Sequence, residues 1–140
     1  MIYPEHINKI ICGDSQVILK EIPDNSIDSI VTDPPAGIGF MGKLWDTFKP
    51  DFIEKKMQQD KRIKVGIASE RRSSAAADYD YSLKGKLAFQ NAMYEIFLEG
   101  LRVLKPGGHA LVWSLPRTSH HTAMALERAG FEIRDCVYHL

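Results

Sequence analysis

Asp33 ends a strand-like stretch built on the apolar, β-branched pair Ile30-Val31 and is followed at once by Pro34 and Pro35. Prolines cannot donate ladder hydrogen bonds, and each fixes its own φ near −65°. The strand must therefore end at Asp33, in a stiff turn that presents one carboxylate and one or two free backbone carbonyls. At the carboxyl end of a strand in an open α/β sheet, that is where ligands bind. A rigid cluster of acceptors suits a substrate that offers N–H donors, such as an exocyclic amino group. Taken alone, the same residues also suit a strand that ends in a Pro-Pro turn with Asp33 as its cap.

The surrounding elements must position these groups. Upstream, "INKIIC" reads as a strand over about Ile7 to Cys12 that ends in Gly13-Asp14, followed by a helix over about Ser15 to Lys20. A turn at Pro23-Asp24-Asn25 leads into the strand of about Ser29 to Thr32. After the two prolines, Gly37-Ile38-Gly39-Phe40-Met41-Gly42 is too rich in φ-permissive residues for regular structure. Charged sequence at 50–63 reads as a surface helix, and 66–82 as a long loop of the kind that is usually functional or mobile. Ala88, Met93, Ile96, Phe97, Leu101 and Leu104 follow helical spacing and predict a helix over about Leu87 to Leu104. Pro106-Gly107-Gly108 stops it. A strand at Ala110 to Trp113, a helix at about His120 to Ala129 ended by Gly130, and a strand at Phe131 to Tyr138 complete the pattern. Alternating elements of these lengths predict an α/β fold with a largely parallel sheet.

In combination, "IICGDSQVILKEIPDNSIDSIVTDPP" and "FLEGLRVLKPGGHALVW" resemble the DNA amino-methyltransferases, which methylate the exocyclic nitrogen of adenine or cytosine with S-adenosylmethionine. "GIGFMGKLWD" resembles a subgroup found among phage-type members. The resemblance covers nearly the whole chain apart from residues 50 to 84, which would form an inserted charged loop. It implies a Rossmann-like methyltransferase sheet, with DNA as partner and S-adenosylmethionine as cofactor. It also implies that the Asp33 carboxylate and the Pro34 carbonyl, stiffened by Pro35, accept the target amine's two N–H bonds. The base must first leave the duplex to expose that amine.

Two positions depart from the family's pattern. The aromatic that follows Pro-Pro in the family, where it stacks on the flipped base, is here Ala36, which cannot stack. Phe40 and Trp45 lie close in sequence and either supply a ring or pack against the domain. The family's aromatic-x-Gly-x-Gly cofactor motif is also not found, since "GIGFMG" has no strand before it. In the permuted motif order that this chain resembles, the glycine motif follows everything present here. The expectation is thus one methyltransferase domain over 1–140 that lacks the glycine-motif strands, needing a C-terminal half or self-association. The strand at Ile7 to Cys12 would then pair directly with the Asp33 strand, stay loosely held, or take a neighbour from another chain. The resemblance sets Gly13-Asp14 near the cofactor's adenine, although Asp14 before "SQVILK" is equally suited to cap a helix.

Composition constrains partners weakly. Net charge is zero, so no global field attracts nucleic acid. Lys55, Lys56, Lys61, Arg62, Lys64, Arg71 and Arg72 form a local basic cluster that either meets phosphates or, with its interspersed acids, is a solvated surface. Arg117 follows the Ala110 to Trp113 strand near the expected active edge. Cys12 and Cys136, in apolar runs, read as small buried hydrophobes in a reducing compartment, with neither a disulfide framework nor a zinc site. His120 and His121 are adjacent and are expected to point apart on a helix, so no metal is expected. No signal pattern or membrane-length apolar run is present, which implies a cytoplasmic protein. The alternative to an enzyme is a catalytically silent remnant that binds DNA or a partner chain. A methyltransferase acting on RNA or on a protein glutamine is a third possibility.

Overall fold

The computed structural model describes residues 7–38, 46 and 82–138. The chain divides into two compact units, Met1–Pro34 with Asn91–Leu140, and Pro35–Gln90. In chain order the elements are α1 (Ser15–Glu21), β1 (Ile27–Thr32), α2 (Leu83–Val103), β2 (Leu104–Val112) and α3 (Ser119–Ala129). Helix α2 begins in the second unit and ends in the first. Among the described residues, no helix is long and apolar enough to cross a membrane.

β1 and β2 form a parallel two-stranded sheet, with Ile30 opposite Ala110, Val31 opposite Leu111 and Thr32 opposite Val112. The sheet is anchored at its amino end by the turn before β1. Asn25 and Ser26 donate backbone hydrogen bonds to the Arg102 and Val103 carbonyls at 3.0 and 2.8 Å. Asn25 takes a left-handed φ of 52°, which Asn tolerates better than most residues. Arg102 ties the same region together. Its guanidinium donates to the Leu19 carbonyl (2.7 Å), the Ile22 carbonyl (3.0 Å), Glu99 (2.8 Å) and Asp24.

Pro106-Gly107-Gly108 has a different job from the one the sequence suggests. The helix has already ended at Val103, and the triplet lies inside β2. Between the Ile27–Leu104 and Ser29–His109 pairs, β1 advances past Asp28 alone while β2 passes Lys105 to Gly108. The triplet is therefore a bulge, as glycine inside a strand often signals. Gly107 adopts φ 80°, and a Cβ on Gly108 would lie 2.9 Å from the Asp28 carbonyl oxygen. The excursion is closed outside by a Lys105–Asp28 ion pair.

The core of the first unit lies between α2 and α3, with Met93, Phe97, Val103 and Leu104 buried together with Ala125, Leu126 and Ala129. Large apolar side chains of this kind contribute about 1.5–3 kcal/mol each when fully buried. Phe131 packs edge-on against Phe97 with ring centroids 6.5 Å apart. Arg128 lies over the Tyr94 ring at 4.9 Å and donates to Asn91 at 3.0 Å. Gly130 ends α3 at φ 105°, where a Cβ would meet Leu101 at 2.9 Å.

Two predicted strands are not strands. Residues 7–12 and 131–138 carry no regular structure, and Ile7, Ile10, Ile11, Val137 and Tyr138 are exposed. The physical reason is that an apolar run becomes a strand only when a neighbour supplies its ladder. β1 and β2 take each other as partners and leave both runs unpaired, so Ile7 to Cys12 does not join the Asp33 strand. Cys12 and Cys136, which lie in these runs, are accordingly exposed free thiols rather than buried ones. The predicted surface helix at 50–63 and most of the charged loop lie outside the described residues.

Candidate functional site

β1 alternates cleanly. Ile30 and Thr32 are half-buried toward α2, where Gly100 leaves room for the Ile30 side chain, while Ser29, Val31 and Asp33 are exposed. β2 repeats the pattern, with Ala110 and Val112 half-buried and His109, Leu111 and Trp113 exposed. The strands are parallel, so both carboxyl ends emerge at one edge of the sheet. The ladder reaches that edge, because Trp113 donates its backbone N–H to the Thr32 carbonyl at 2.9 Å. Asp33 is the next residue, directly before Pro34. Its carboxylate makes no hydrogen bond or ion pair with any described residue. The edge thus presents a free acceptor on a backbone held by a paired strand on one side and two prolines on the other.

Beyond Pro34 the chain enters the second unit, where a carboxylate that the sequence did not single out fixes the turn. Asp46 is fully buried, and its two oxygens accept the backbone N–H groups of Gly37 at 2.7 Å and Ile38 at 3.2 Å. Gly37 has φ 72°, and a Cβ there would lie 2.6 Å from the Phe89 ring. Pro35-Ala36 therefore leads directly into a left-handed glycine pinned by a buried acid. The available signal was weak, a lone Asp after the apolar pair Leu44-Trp45. Phe40 and Trp45, the two rings offered in place of the missing aromatic, lie outside the described residues. So do the basic residues from Lys55 to Arg72.

Gly13 and Asp14 precede α1. Asp14 is its N-cap, and its side chain accepts the Gln16 N–H at 3.0 Å. A Cβ on Gly13 would press on Ile18 at 3.0 Å. One exposed carboxylate that caps its own helix does not frame an adenosyl and a methionine group. Among the described residues, Gly13 and Asp14 form a helix cap, and their role toward S-adenosylmethionine rests on the sequence resemblance.

Arg117 is exposed on the turn between β2 and α3. The rings of His120 and His121 lie with centroids 3.8 Å apart rather than diverging. Among the described residues, no group of three or more His, Cys, Asp or Glu side chains is arranged to hold a metal ion.

The chain is similar to two Type II methyltransferases. It is 53% identical to M.BglII of Bacillus subtilis over 34 residues, which is 24% of this chain and 9% of that protein. It is 23% identical to M.BamHI of Bacillus amyloliquefaciens over 122 residues, which is 87% of this chain and 21% of that protein. The chain thus spans about a fifth or less of the length of either relative. No protein-family model and no solved structure matches it.

Proposed function

We propose that this chain forms the target-amine side of a DNA amino-methyltransferase that acts on the exocyclic nitrogen of adenine, or alternatively cytosine. The observation that carries the proposal is Asp33, free and exposed at the carboxyl end of a parallel strand and stiffened by Pro34-Pro35. Similarity to two Type II methyltransferases supports it.

An exocyclic amine is a poor nucleophile because its lone pair is delocalised into the ring. The Asp33 carboxylate accepts one N–H and the Pro34 carbonyl the other, which favours a pyramidal nitrogen whose lone pair is available. Both acceptors are fixed before the amine arrives, so little reorganisation accompanies the reaction. The methyl group would come from S-adenosylmethionine, the donor that the sequence resemblance implies. Gly13 and Asp14, which the resemblance sets near its adenine, would contact the donor, and the chemistry assigned to this chain's other residues is that of the amine side.

The test is transfer of labelled methyl groups to adenine- and cytosine-containing duplexes, with cofactor affinity measured in parallel by calorimetry. In a version of the protein that joins this chain to a cofactor-binding half, Asp33→Ala is expected to abolish transfer and leave cofactor affinity largely intact. Turnover at the wild-type level in the variant would remove Asp33 from the reaction. Ala36 favours a second possibility, a catalytically silent module that binds DNA. For that module, duplex binding would persist with no transfer even by the wild type joined to a cofactor-binding half.

A further inference from the structure

The missing aromatic at position 36 leaves the amine acceptors without a described stacking surface, and β2 supplies one. We infer that the indole of Trp113 is the platform on which the planar base stacks while Asp33 holds its amino group. This rests on the proposed function and deepens it by assigning the base-stacking residue.

Register is the first support. Val31 stands opposite Leu111 and Thr32 opposite Val112, and the Trp113 N–H bonds to the Thr32 carbonyl, so Trp113 is level with Asp33. Alternation is the second. Val31 and Asp33 on one strand, with Leu111 and Trp113 on the other, belong to the exposed face, while Ile30, Thr32, Ala110 and Val112 belong to the half-buried one. The two side chains therefore leave the same face one inter-strand spacing apart, about 4.8 Å at the backbone. One planar base can meet both. Exposure is the third, since Trp113 is 57% exposed, whereas tryptophan is highly buried on average. A large ring left open beside a free carboxylate matches an amino-bearing heteroaromatic ligand better than it matches packing.

The experiment uses the 140-residue chain and two end-labelled single-stranded oligonucleotides, followed by fluorescence anisotropy. One carries a single deoxyadenosine in a thymidine tract, and the other has an abasic site at that position. The wild type is expected to prefer the adenine strand. Base–aromatic stacking predicts that Trp113→Leu weakens the adenine complex by about fivefold or more and leaves the abasic complex unchanged. Trp113→Phe should keep most of the preference, because it keeps a ring. Circular dichroism checks that both variants fold, and if Trp113→Leu does not, the graded loss in Trp113→Phe decides.

Equal weakening of both complexes in Trp113→Leu would make the ring a packing residue and overturn the inference. If Asp33→Ala lowers the adenine preference while Trp113→Leu does not, the stacking role falls and the amine-acceptor function stands. A wild type that does not distinguish the two strands would overturn both.

Discussion

Replacing Arg102 with methionine tests how the amino end of the sheet is held. Methionine keeps an unbranched apolar stem and removes every donor. Two of the lost bonds go to backbone carbonyls, of Leu19 at 2.7 Å and Ile22 at 3.0 Å. Each contributes about 1 kcal/mol net. The other two are ion pairs, with Glu99 three residues back on the same helix and with Asp24, whose side chain is 67% exposed. Solvent-screened pairs of this sort add at most about 0.5 kcal/mol each. The expected loss is therefore about 2–3 kcal/mol, read from the urea midpoint with the slope unchanged. Arg102→Lys should recover only part of it, because an ammonium cannot reach in as many directions as a guanidinium. The hydrogen bonds to Asp24 and Glu99 raise the Arg102 pKa above its ordinary value. A raised pKa means that the contribution is fully present below the unfolded-state value and fades only as pH climbs through the folded one. That window opens above the ordinary arginine range, so the difference between wild type and variant should stay constant between about pH 6 and pH 9. A difference below about 0.5 kcal/mol would show that the guanidinium is merely lying on the surface.

Gly108→Ala should lower the melting temperature, since its methyl would stand 2.9 Å from the Asp28 carbonyl oxygen, a backbone atom that cannot step aside; overpacking of this kind costs about 1–3 kcal/mol. Asp46→Ala leaves the Gly37 and Ile38 N–H groups without their acceptor, and hydrogen exchange at those two amides should accelerate at least tenfold while the amides of β1 keep their protection. Gly37→Ala meets both a φ of 72° and a ring 2.6 Å away, and thermal melts should show a larger loss than Gly107→Ala, where φ is 80° but the space is open.

The helices and the two paired strands were legible because their signals are local. Helical spacing from Ala88 to Leu104 located α2, although it actually starts at Leu83, one turn early, where Ser82 accepts the Gly85 N–H at 3.1 Å. Asp14, Asn25 and Gly130 act through their own backbone surroundings, and all three sit where their residue types predict. The failures are non-local. Ile7 to Cys12 and Phe131 to Tyr138 have strand composition, yet composition carries no information on whether an edge is free to receive them. The role of Pro106-Gly107-Gly108 turned on where β1 stood, which changes a helix stop into a bulge. Nothing in the sequence around Arg102 marks its role. It reaches carbonyls some eighty positions away in sequence, and no local window contains that fact.

At the candidate site, this difference decides what Asp-Pro-Pro means. The motif by itself predicts an acceptor in a stiff turn, and a turn has no direction until a neighbour fixes it. β2 fixes it by running parallel to β1 and ending at the same level, so that Trp113 bonds to the carbonyl immediately before Asp33. That alignment depends in turn on the bulge at Gly107-Gly108, because without the extra residues Val112 would not stand opposite Thr32. A one-residue slip would also send Trp113 to the half-buried face. The Asp33 turn and the glycine bulge are therefore one device, whose two ends lie far apart in sequence. If Asp33 holds the base as proposed, Gly108→Ala, which meets Leu104 and Asp28 rather than Asp33, should lower the preference for the adenine strand over the abasic one in the anisotropy assay.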